Sequence, residues 1–267
     1  MSKKVKLTIL GCGNSAGVPE IGNHWGACDP NEPRNRRTRA SIALQDDQTT
    51  FIVDTGPDFR EQLNRENITH VDGIFYTHAH SDHIGGIDEL RVFSKRTKSM
   101  IPLYGDQKTI DEVRYRFEYM FNDIDDGLYP AVCSTHAFHD HEYGQIKHFG
   151  TIPAIPFIQD HGFRQSLGIR VGDLAYSTDM VNLDEAALET LKGVRVWIAD
   201  AAGYKMPKNY VHATLTQVFK LNEVIRAEQV YITHMAAFMD YKTLCEELPP
   251  GYAPAYDGLT LETIVDD

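Results

Sequence analysis

Long apolar runs and positive charge are both scarce in this sequence. No apolar segment approaches the roughly 20 residues that a transmembrane helix needs, so a membrane-spanning chain is excluded. Lysine and arginine number 26 against 38 aspartate and glutamate residues, which gives a formal net charge of −12. This balance argues against nucleic-acid or anionic-membrane partners, because they require an extended basic face. A small anionic substrate, held by a few local cations or metal ions, remains compatible with it.

Cysteine is sparse as well, and no CxxC pair is present. The four cysteines, Cys12, Cys28, Cys133 and Cys245, are scattered along the chain. We therefore expect no disulfide framework, and reduced thiols in a cytoplasmic protein are the simpler prediction. No repeat, low-complexity tract or Pro/Gly/Ser-rich linker divides the chain, and hydrophobic residues make up 42% of it. One α/β domain over residues 1–267 is expected.

Short apolar runs separated by turns predict the secondary structure. The long segment Gly11–Arg39 is irregular, which is typical of a functional loop. The segment Cys133–Gly150 is expected to form a solvated hairpin. The predicted helices are Asp58–Glu66, Asp106–Tyr119, Asp184–Lys192 and Thr214–Arg226. The predicted strands are Val5–Leu10, Ser41–Leu44, Phe51–Asp54, Gly73–Thr77, Ile101–Tyr104, Thr151–Ile158, Leu167–Val171, Leu174–Ser177, Val194–Ala199 and Gln229–Thr233.

An H-x-H-x-D-H string is the strongest chemical signal. Four ligand-capable side chains lie within six residues, directly after the apolar run Ile74–Tyr76: His78, His80, Asp82 and His83. Such crowded imidazoles and a carboxylate would be hard to satisfy when buried. A divalent cation resolves the conflict, because it binds neutral imidazole nitrogens and carboxylate oxygens. A histidine-rich surface loop is the alternative interpretation.

Other strands also end in candidate ligands. Asp179, His161 and His234 each follow an apolar run. Strands of α/β sheets carry functional groups at the edge where they emerge. Each residue alone could serve a turn or a cap, but together with the H-x-H-x-D-H string they predict one cluster. Asp54 and Asp200 also end strands, and we expect them to orient the ligands.

The sequence resembles the metallo-β-lactamase-fold hydrolases, in which an H-x-H-x-D-H string precedes further His, Asp and His residues. The resemblance covers nearly the whole chain. The segments Leu10–Pro19 (LGCGNSAGVP) and Asn35–Ser41 (NRRTRAS) are similar to the branch that contains the phosphoribosyl 1,2-cyclic phosphate phosphodiesterase of phosphonate breakdown. Ribonuclease Z is a further relative. The resemblance implies a four-layer αββα sandwich with a two-metal site along one edge.

The same resemblance implies a role for each candidate site residue. His212, within Val211–Leu215 (VHATL), matches the family's proton donor to the leaving group. The alternative is a residue at a helix start without a chemical role. Two divalent ions, zinc or manganese, would be held by seven residues: His78, His80 and His161 for the first ion, Asp82, His83 and His234 for the second, and Asp179 bridging both.

These observations predict metal-dependent hydrolysis of a small phosphodiester, cyclic or nucleotide-like. Two cations would lower the pKa of a bridging water, Asp82 would orient the hydroxide, and His212 would protonate the departing alkoxide. An RNA 3′-end nuclease like ribonuclease Z is the first alternative. Only 17 residues separate His161 from Asp179, which leaves no room for a tRNA-gripping arm. Thioester or lactam hydrolysis and a non-catalytic binding protein on the same fold are further alternatives.

One loop departs from the pattern of the branch. The phosphonate-pathway enzyme carries clustered cysteines after Val-Pro that bind a structural zinc. Here the segment Glu20–Pro30 offers only His24 and Cys28 as nitrogen or sulfur ligands. We therefore expect no structural zinc, and the exact substrate stays open.

Other polar groups have two interpretations each. The basic segment Arg34–Arg39 is either solvated loop or a phosphate contact, with Arg37 as the candidate, because arginine forks suit phosphate oxygens. Ser15, in a glycine-rich turn, is a second candidate for substrate binding. A third metal site is less favoured than a solvated hairpin for the cluster His136, His139, His141 and His148. The native metal and the oligomeric state stay open, with a homodimer among the alternatives.

Overall fold

Two seven-stranded mixed sheets pack face to face in the computed structural model, which describes residues 2–123 and 129–266. In chain order the strands are β1 (Lys3–Gly11), β2 (Ser41–Gln45), β3 (Thr50–Val53), β4 (Gly73–Phe75), β5 (Ile101–Asp106), β6 (Cys133–Phe138), β7 (Lys147–Phe149), β8 (Ile152–His161), β9 (Arg164–Val171), β10 (Leu174–Ser177), β11 (Val196–Asp200), β12 (Gln229–Thr233), β13 (Tyr252–Pro254) and β14 (Thr260–Val265). The first sheet has the order β14-β1-β2-β3-β4-β5-β6, and the second has the order β13-β12-β11-β10-β9-β8-β7.

Helices cover the outer face of each sheet. The described α-helices are α1 (Phe59–Arg65), α2 (Ser81–Ile84), α3 (Leu90–Thr97), α4 (Gln107–Arg116), α5 (Glu185–Leu191), α6 (Leu215–Ile225) and α7 (Tyr241–Glu247), and the 3₁₀ helices are Pro33–Asn35, Ile87–Glu89, Glu118–Met120 and Asp140–Glu142. Helices α1, α3 and α4 pack on the first sheet, whereas α5, α6 and α7 pack on the second. The four-layer αββα sandwich expected from the sequence is therefore confirmed.

Both faces of the central strands are buried, which explains their continuous apolar sequences. In β3, Phe51 and Val53 enter the core between the two sheets, while Ile52 enters the layer beneath the helices. In β4 the same alternation sends Phe75 inward and Ile74 outward. Among the described residues, no helix is long and apolar enough to cross a membrane.

The parallel strands of both sheets end at one common edge. β3, β4, β5 and β6 are parallel neighbours in the first sheet, and β10 to β13 are parallel neighbours in the second. At this edge the sheets are joined by a hydrogen bond from the Leu167 amide to the Thr77 carbonyl, at 2.9 Å. Residues that follow these strands are consequently collected in one place, as the sequence predicts.

The segment Cys133–Gly150 is not a hairpin, so that prediction was wrong. Strand β6 pairs in parallel with β5 of the first sheet, whereas β7 pairs with β8 of the second. The segment therefore crosses from one sheet to the other. Its polar sequence arises because β6 and β7 are edge strands, with His136 and His148 exposed to solvent.

Candidate metal centre and active site

The H-x-H-x-D-H segment forms the turn from β4 into the short helix α2. His80 is the N-cap of this helix, with an extended backbone, and Asp82 lies in its first turn. The turn buries His78 and His83 almost completely, with 2% and 0% exposure, while His80 and Asp82 stay partly accessible. Two ligands therefore form the floor of the site and two lie at its mouth.

Left-handed backbone conformations direct three further side chains into the site. Asp54, Asp179 and His234 have φ angles of 66°, 49° and 57°, respectively. Non-glycine residues adopt this region at an energetic cost, and such strain persists where the surrounding structure fixes it, most often at functional sites. Each of the three lies just past the end of a strand, so the turn aims its side chain along the common edge.

The carboxylate of Asp179 lies between two groups of histidines. Its Oδ1 is 3.8 Å from Nε2 of His78 and 3.7 Å from Nε2 of His161. Its Oδ2 is 3.1 Å from Nε2 of His83 and 3.2 Å from Nε2 of His234. Each carboxylate oxygen therefore faces a different pair of imidazoles, which is the arrangement that a bridging ligand requires.

Ligand atoms converge in three groups, two of which correspond to the two ions implied by the resemblance, while the third contains Asp179, His212 and His234. Within each group the ligand atoms lie within 4.8 Å of one another. Asp82 contributes to the second group, with its Oδ2 3.2 Å from Nε2 of His83 and 3.8 Å from that of His234. The structure thus brings together every predicted ligand: His78, His80, His161 and Asp179 in one group, and Asp82, His83 and His234 in the other.

The chemistry of these donors fits divalent cations. Burial lowers the pKa of His78, His80 and His161, so these imidazoles are neutral at physiological pH, which is the form that binds metals. The buried Nε2 atoms of His83 and His234 have no hydrogen-bond partner among the described residues. A cation at this point would satisfy both orphaned nitrogens.

The carboxylates around His83 also favour a bound cation. Burial alone would lower the pKa of His83, but Asp179, Asp54 and Asp82 outweigh it and raise this pKa well above its usual value. Burial alone would raise the pKa of Asp82, but the neighbouring imidazoles of His83 and His234 outweigh it and lower this pKa. So much negative charge around one imidazole calls for a positive partner, and a metal ion can replace the proton.

Neighbouring groups fix which ring nitrogen of His83 and of His161 faces the site. Nδ1 of His83 donates to Oδ2 of Asp54 at 2.7 Å, and Nδ1 of His161 donates to the Val211 carbonyl at 2.6 Å. Both rings consequently present Nε2 to the site. Asp54 also accepts from the amide and the hydroxyl of Thr77, each at 2.8 Å. This is the orienting role expected for Asp54.

His212 lies beside the second group of ligands. Its ring is stacked 4.8 Å from that of His234, and its Nδ1 donates to Oδ2 of Asp200 at 2.7 Å. Burial alone would lower the pKa of His212, but Asp200, Asp179 and Asp82 outweigh this effect and raise the pKa to about 9. Because Nδ1 is engaged by Asp200, Nε2 is the ring nitrogen left to donate. A ring nitrogen of His212 lies within 4.8 Å of ligand atoms of Asp179 and His234, which places the ring beside the site.

Arg37 is buried within the loop, and its assignment to substrate binding stays a prediction. Only 2% of the residue is exposed. Its guanidinium donates to Oδ1 of Asn35 at 3.1 Å and to the carbonyl of Ala236 at 3.4 Å, and it lies 4.0 Å from the sulfur of Cys28. Arg37 thus ties the N-terminal loop to the segment directly after His234.

Ser15 is exposed on a loop that lies along the site. Its neighbour Gly13 pairs with Met235, which follows His234, and the Asn14 amide donates to the Met235 carbonyl at 3.1 Å. Nε of Arg39 donates to the Ser15 carbonyl at 3.2 Å, and Arg39 also pairs with Asp58 at 2.8 Å. Ser15 therefore remains a candidate for substrate contact, and Arg39 is the arginine of the basic segment that lies next to it.

The remaining histidines stay apart from the metal centre. The rings of His139 and His141 are stacked 5.8 Å apart on the surface. Within the described ranges, neither they nor His136 and His148 belong to a group of three or more converging ligands.

With the geometry established, comparison with known proteins defines the class of protein. A family model described as a beta-lactamase superfamily domain matches residues 49–235, which include all seven ligands, so the chain belongs to that superfamily and has its metallo-β-lactamase fold. A diphosphatase from the PhnP family is 33% identical, and the match covers 99% of each chain with a TM-score of 0.88. The chain accordingly belongs to the PhnP family within this superfamily.

Two other known proteins are similar to this chain. A protein from Porphyromonas gingivalis (strain ATCC BAA-308 / W83) named octanoyltransferase is 29% identical over 277 residues, which cover 98% of this chain and 52% of that protein. The chain thus spans about half the length of this relative. The short form of human tRNase Z is 16% identical, with a TM-score of 0.69 over 96% of this chain and 98% of that one. At this identity it shows a shared fold.

Removing the charge of Asp179 should cost the protein its metal. Asp179→Asn keeps the shape of the side chain and a residue type that tolerates positive φ, but it withdraws the carboxylate shared by both ligand groups. We expect elemental analysis after dialysis to fall from two ions per chain to less than one. The control, Glu223→Gln on the exposed face of α6, should retain two. Full occupancy in Asp179→Asn would contradict the bridging assignment.

Truncating Arg37 should destabilise the protein. Arg37→Ala leaves a buried void and removes donors to Asn35 and Ala236, so the free energy of unfolding should fall by about 3 kcal/mol in urea denaturation at fixed metal concentration. Arg36→Ala, which removes an exposed guanidinium 5.1 Å from the Trp25 ring, should cost less than about 1 kcal/mol. An unchanged stability of Arg37→Ala combined with a raised KM would restore the substrate-binding role.

Proposed function

We propose that this protein is a binuclear metal-dependent phosphodiesterase that acts on small anionic diesters, cyclic or nucleotide-like. The single observation that carries the proposal is the position of His212 beside the ligand cluster that Asp179 divides. A metal pair is common to many reactions of the superfamily. A protonated imidazole held by a buried carboxylate is the additional group that a poor alkoxide leaving group requires.

Two divalent cations, zinc or manganese, would supply Lewis acidity and a water of lowered pKa at the site. The chain would hold them through His78, His80, His161, Asp179, Asp82, His83 and His234. Asp82 is partly exposed, so its carboxylate borders both the ligand group and the mouth of the site. We assign it the orientation of the attacking water as well as metal binding.

His212 would provide the proton for the leaving oxygen. Its Nδ1 is committed to Asp200, so Nε2 is the atom that can donate. Asp200 Oδ2 also accepts from the Met180 amide at 3.1 Å, and Oδ1 accepts from the Ala202 amide at 2.8 Å. These bonds hold the carboxylate still and therefore fix the orientation of the imidazole.

Small diesters suit the site better than structured RNA. β8 ends at His161 and β9 begins at Arg164, so a two-residue turn stands where a gripping arm would begin. The chain continues through β9 and β10 directly to Asp179. With a net charge of −12, the protein also lacks the overall positive charge that favours tRNA binding. We therefore propose no nucleic-acid or membrane partner.

Acyl transfer is a poorer match to this chain. Cys12 and Cys28 are buried, and burial raises the pKa of both thiols. Burial also raises the pKa of Cys133 to about 12. None of these thiols is a ready nucleophile. We attribute octanoyl transfer in the longer relative to the part of it that this chain does not match.

The role of His212 can be tested by the choice of leaving group. His212→Ala should retain both metal ions yet lose roughly 10²- to 10⁴-fold in kcat on a diester with an alkoxide leaving group. The loss should shrink for p-nitrophenyl esters, since p-nitrophenolate departs without a proton. Metal content, measured in the same samples, separates a lost proton donor from a lost ligand. An equal loss for good and poor leaving groups would exclude the role.

Substrate class can be tested with three substrates under one metal condition. We expect a five-membered cyclic phosphate to give the highest kcat/KM, because its ring exposes phosphorus and presents one leaving oxygen to one histidine. A linear diester should follow, and a precursor tRNA should show negligible cleavage. Efficient tRNA cleavage with negligible turnover of small diesters would replace this proposal with a ribonuclease.

A further inference from the structure

A buried carboxylate outside the metal centre, that of Asp257, is held by hydrogen bonds on both oxygens. Asp257 belongs to the connection between β13 and β14, and its side chain is 7% exposed. Oδ1 accepts from the amide of Cys12 at 3.0 Å and from its thiol at 3.4 Å. Oδ2 accepts from the amide and the hydroxyl of Thr38, at 2.8 and 2.7 Å, and from Arg65 at 3.2 Å. A carboxylate with this many donors is a rigid attachment point, because any movement would leave buried donors unsatisfied.

The connection that carries Asp257 joins the two sheets near the ligand His234. The Ala255 amide donates at 2.9 Å to a carbonyl of β12, that of Ile232. The Gly258 amide donates at 2.8 Å to a carbonyl of β1. Because β12 ends one residue before His234, Asp257 has a fixed position relative to the strand end that carries this ligand.

The loop that Asp257 holds contacts the residue that follows His234. The carbonyl of Cys12 accepts from the Met235 amide at 2.8 Å, and the Asn14 amide donates to the Met235 carbonyl at 3.1 Å. Cys12 therefore binds Asp257 through its amide and Met235 through its carbonyl. Met235 is completely buried. The chain directly after the ligand is thus fixed at both of its backbone groups by a loop whose own position depends on Asp257.

His234 depends on its backbone for orientation more than His83 and His161 do. Its φ angle of 57° lies in the left-handed region, which is costly for a histidine unless the surrounding structure fixes it. Its Nδ1 has no hydrogen-bond partner in the described part of the chain, whereas Nδ1 of His83 and of His161 each donate to a protein oxygen. The backbone on either side of His234 must therefore supply what a hydrogen bond supplies to the other two rings.

We propose that Asp257 is a positioning residue for the second metal ion. It holds Cys12 against Met235 and thereby keeps the His234 imidazole facing the carboxylates of Asp82 and Asp179, although Asp257 itself touches no ligand. Loss of Asp257 should weaken the second ligand group and spare the first. The inference rests on the metal centre of the proposed function.

Zinc titration of the metal-stripped protein tests this inference. Asp257→Asn keeps the shape of the side chain, but its NH₂ group cannot accept a hydrogen bond, so one set of donors loses its partner. Calorimetry with zinc chloride should find two tightly bound ions in the unaltered protein. In Asp257→Asn, one ion should bind at least about tenfold more weakly and the other within about threefold of its original affinity. Thr38→Val, a milder change that removes one donor to Asp257, should show the same selectivity with a smaller loss.

Two double variants identify the ion that is affected. His80→Ala removes a ligand of the first group, and Asp82→Ala removes a ligand of the second. Asp257→Asn combined with His80→Ala should leave no tightly bound ion. Asp257→Asn combined with Asp82→Ala should still leave one, because both changes act on the same group.

Asp46→Asn is the matched control for a purely structural effect. The side chain of Asp46 is also buried, at 4% exposure, and accepts from the amides of Gln48 and Thr49 at 2.9 and 2.7 Å and from the Thr151 hydroxyl at 2.6 Å. It lies in the turn between β2 and β3, whereas the metal centre lies at the other end of β3. Asp46→Asn should lower the free energy of unfolding as Asp257→Asn does, but it should leave both zinc affinities unchanged.

The outcomes separate this inference from the proposed function. Equal weakening of both ions in Asp257→Asn, or unchanged zinc binding in both Asp257→Asn and Thr38→Val, would overturn the positioning role while the binuclear function stands. Loss of the remaining ion from the double variant with Asp82→Ala would also overturn it. Fewer than two ions in the unaltered protein would overturn the binuclear function and this inference with it.

Discussion

The position of one carboxylate, Asp179, determines the geometry of the whole site. Its two oxygens face two different pairs of imidazoles at 3.1–3.8 Å. A small rotation of this carboxylate would therefore disrupt both ligand groups. The backbone accepts a left-handed conformation there, and the Ser166 hydroxyl stabilises it by donating to the Asp179 carbonyl at 2.7 Å. Ser166 belongs to β9. The next residue of that strand, Leu167, donates its amide hydrogen bond to the Thr77 carbonyl, which follows β4 of the first sheet. Packing of the two sheets is therefore what fixes the bridging position.

The ligands could be predicted from the sequence because each belongs to a local pattern. The H-x-H-x-D-H string is continuous, and the other three ligands follow apolar runs. Parallel strands end at one edge, so residues distant in sequence, such as His83 and His234, are expected to lie there together. This expectation needs only the local pattern around each residue. The role proposed for His212 came from resemblance alone, since nothing in its local sequence indicates Asp200 as its partner. The contact between Asp200 and His212 forms because the loop that carries His212, twelve residues after Asp200, folds back onto the end of β11.

Burial and pairing of the loops could not be predicted in this way. Arg37 lies in a basic segment that reads as solvated, yet tertiary contacts enclose it because its donors meet Asn35 and Ala236. The segment Cys133–Gly150 reads as a hairpin, yet its two strands join different sheets. β14 pairs with β1 across nearly the full length of the chain. Edge strands and loop contacts of this kind depend on which surfaces meet, and sequence periodicity does not encode that.

The acidic surface and the expected anionic substrate are compatible because charge is arranged locally. Two divalent cations held by two carboxylates and neutral imidazoles would leave a net positive charge at the metal centre, although the protein as a whole is negative. Beyond the ligands, Asp54 and Asp200 are each hydrogen-bonded to an imidazole. A substrate with a negatively charged phosphate would therefore meet local positive charge at the metal centre, whatever the net charge of the protein.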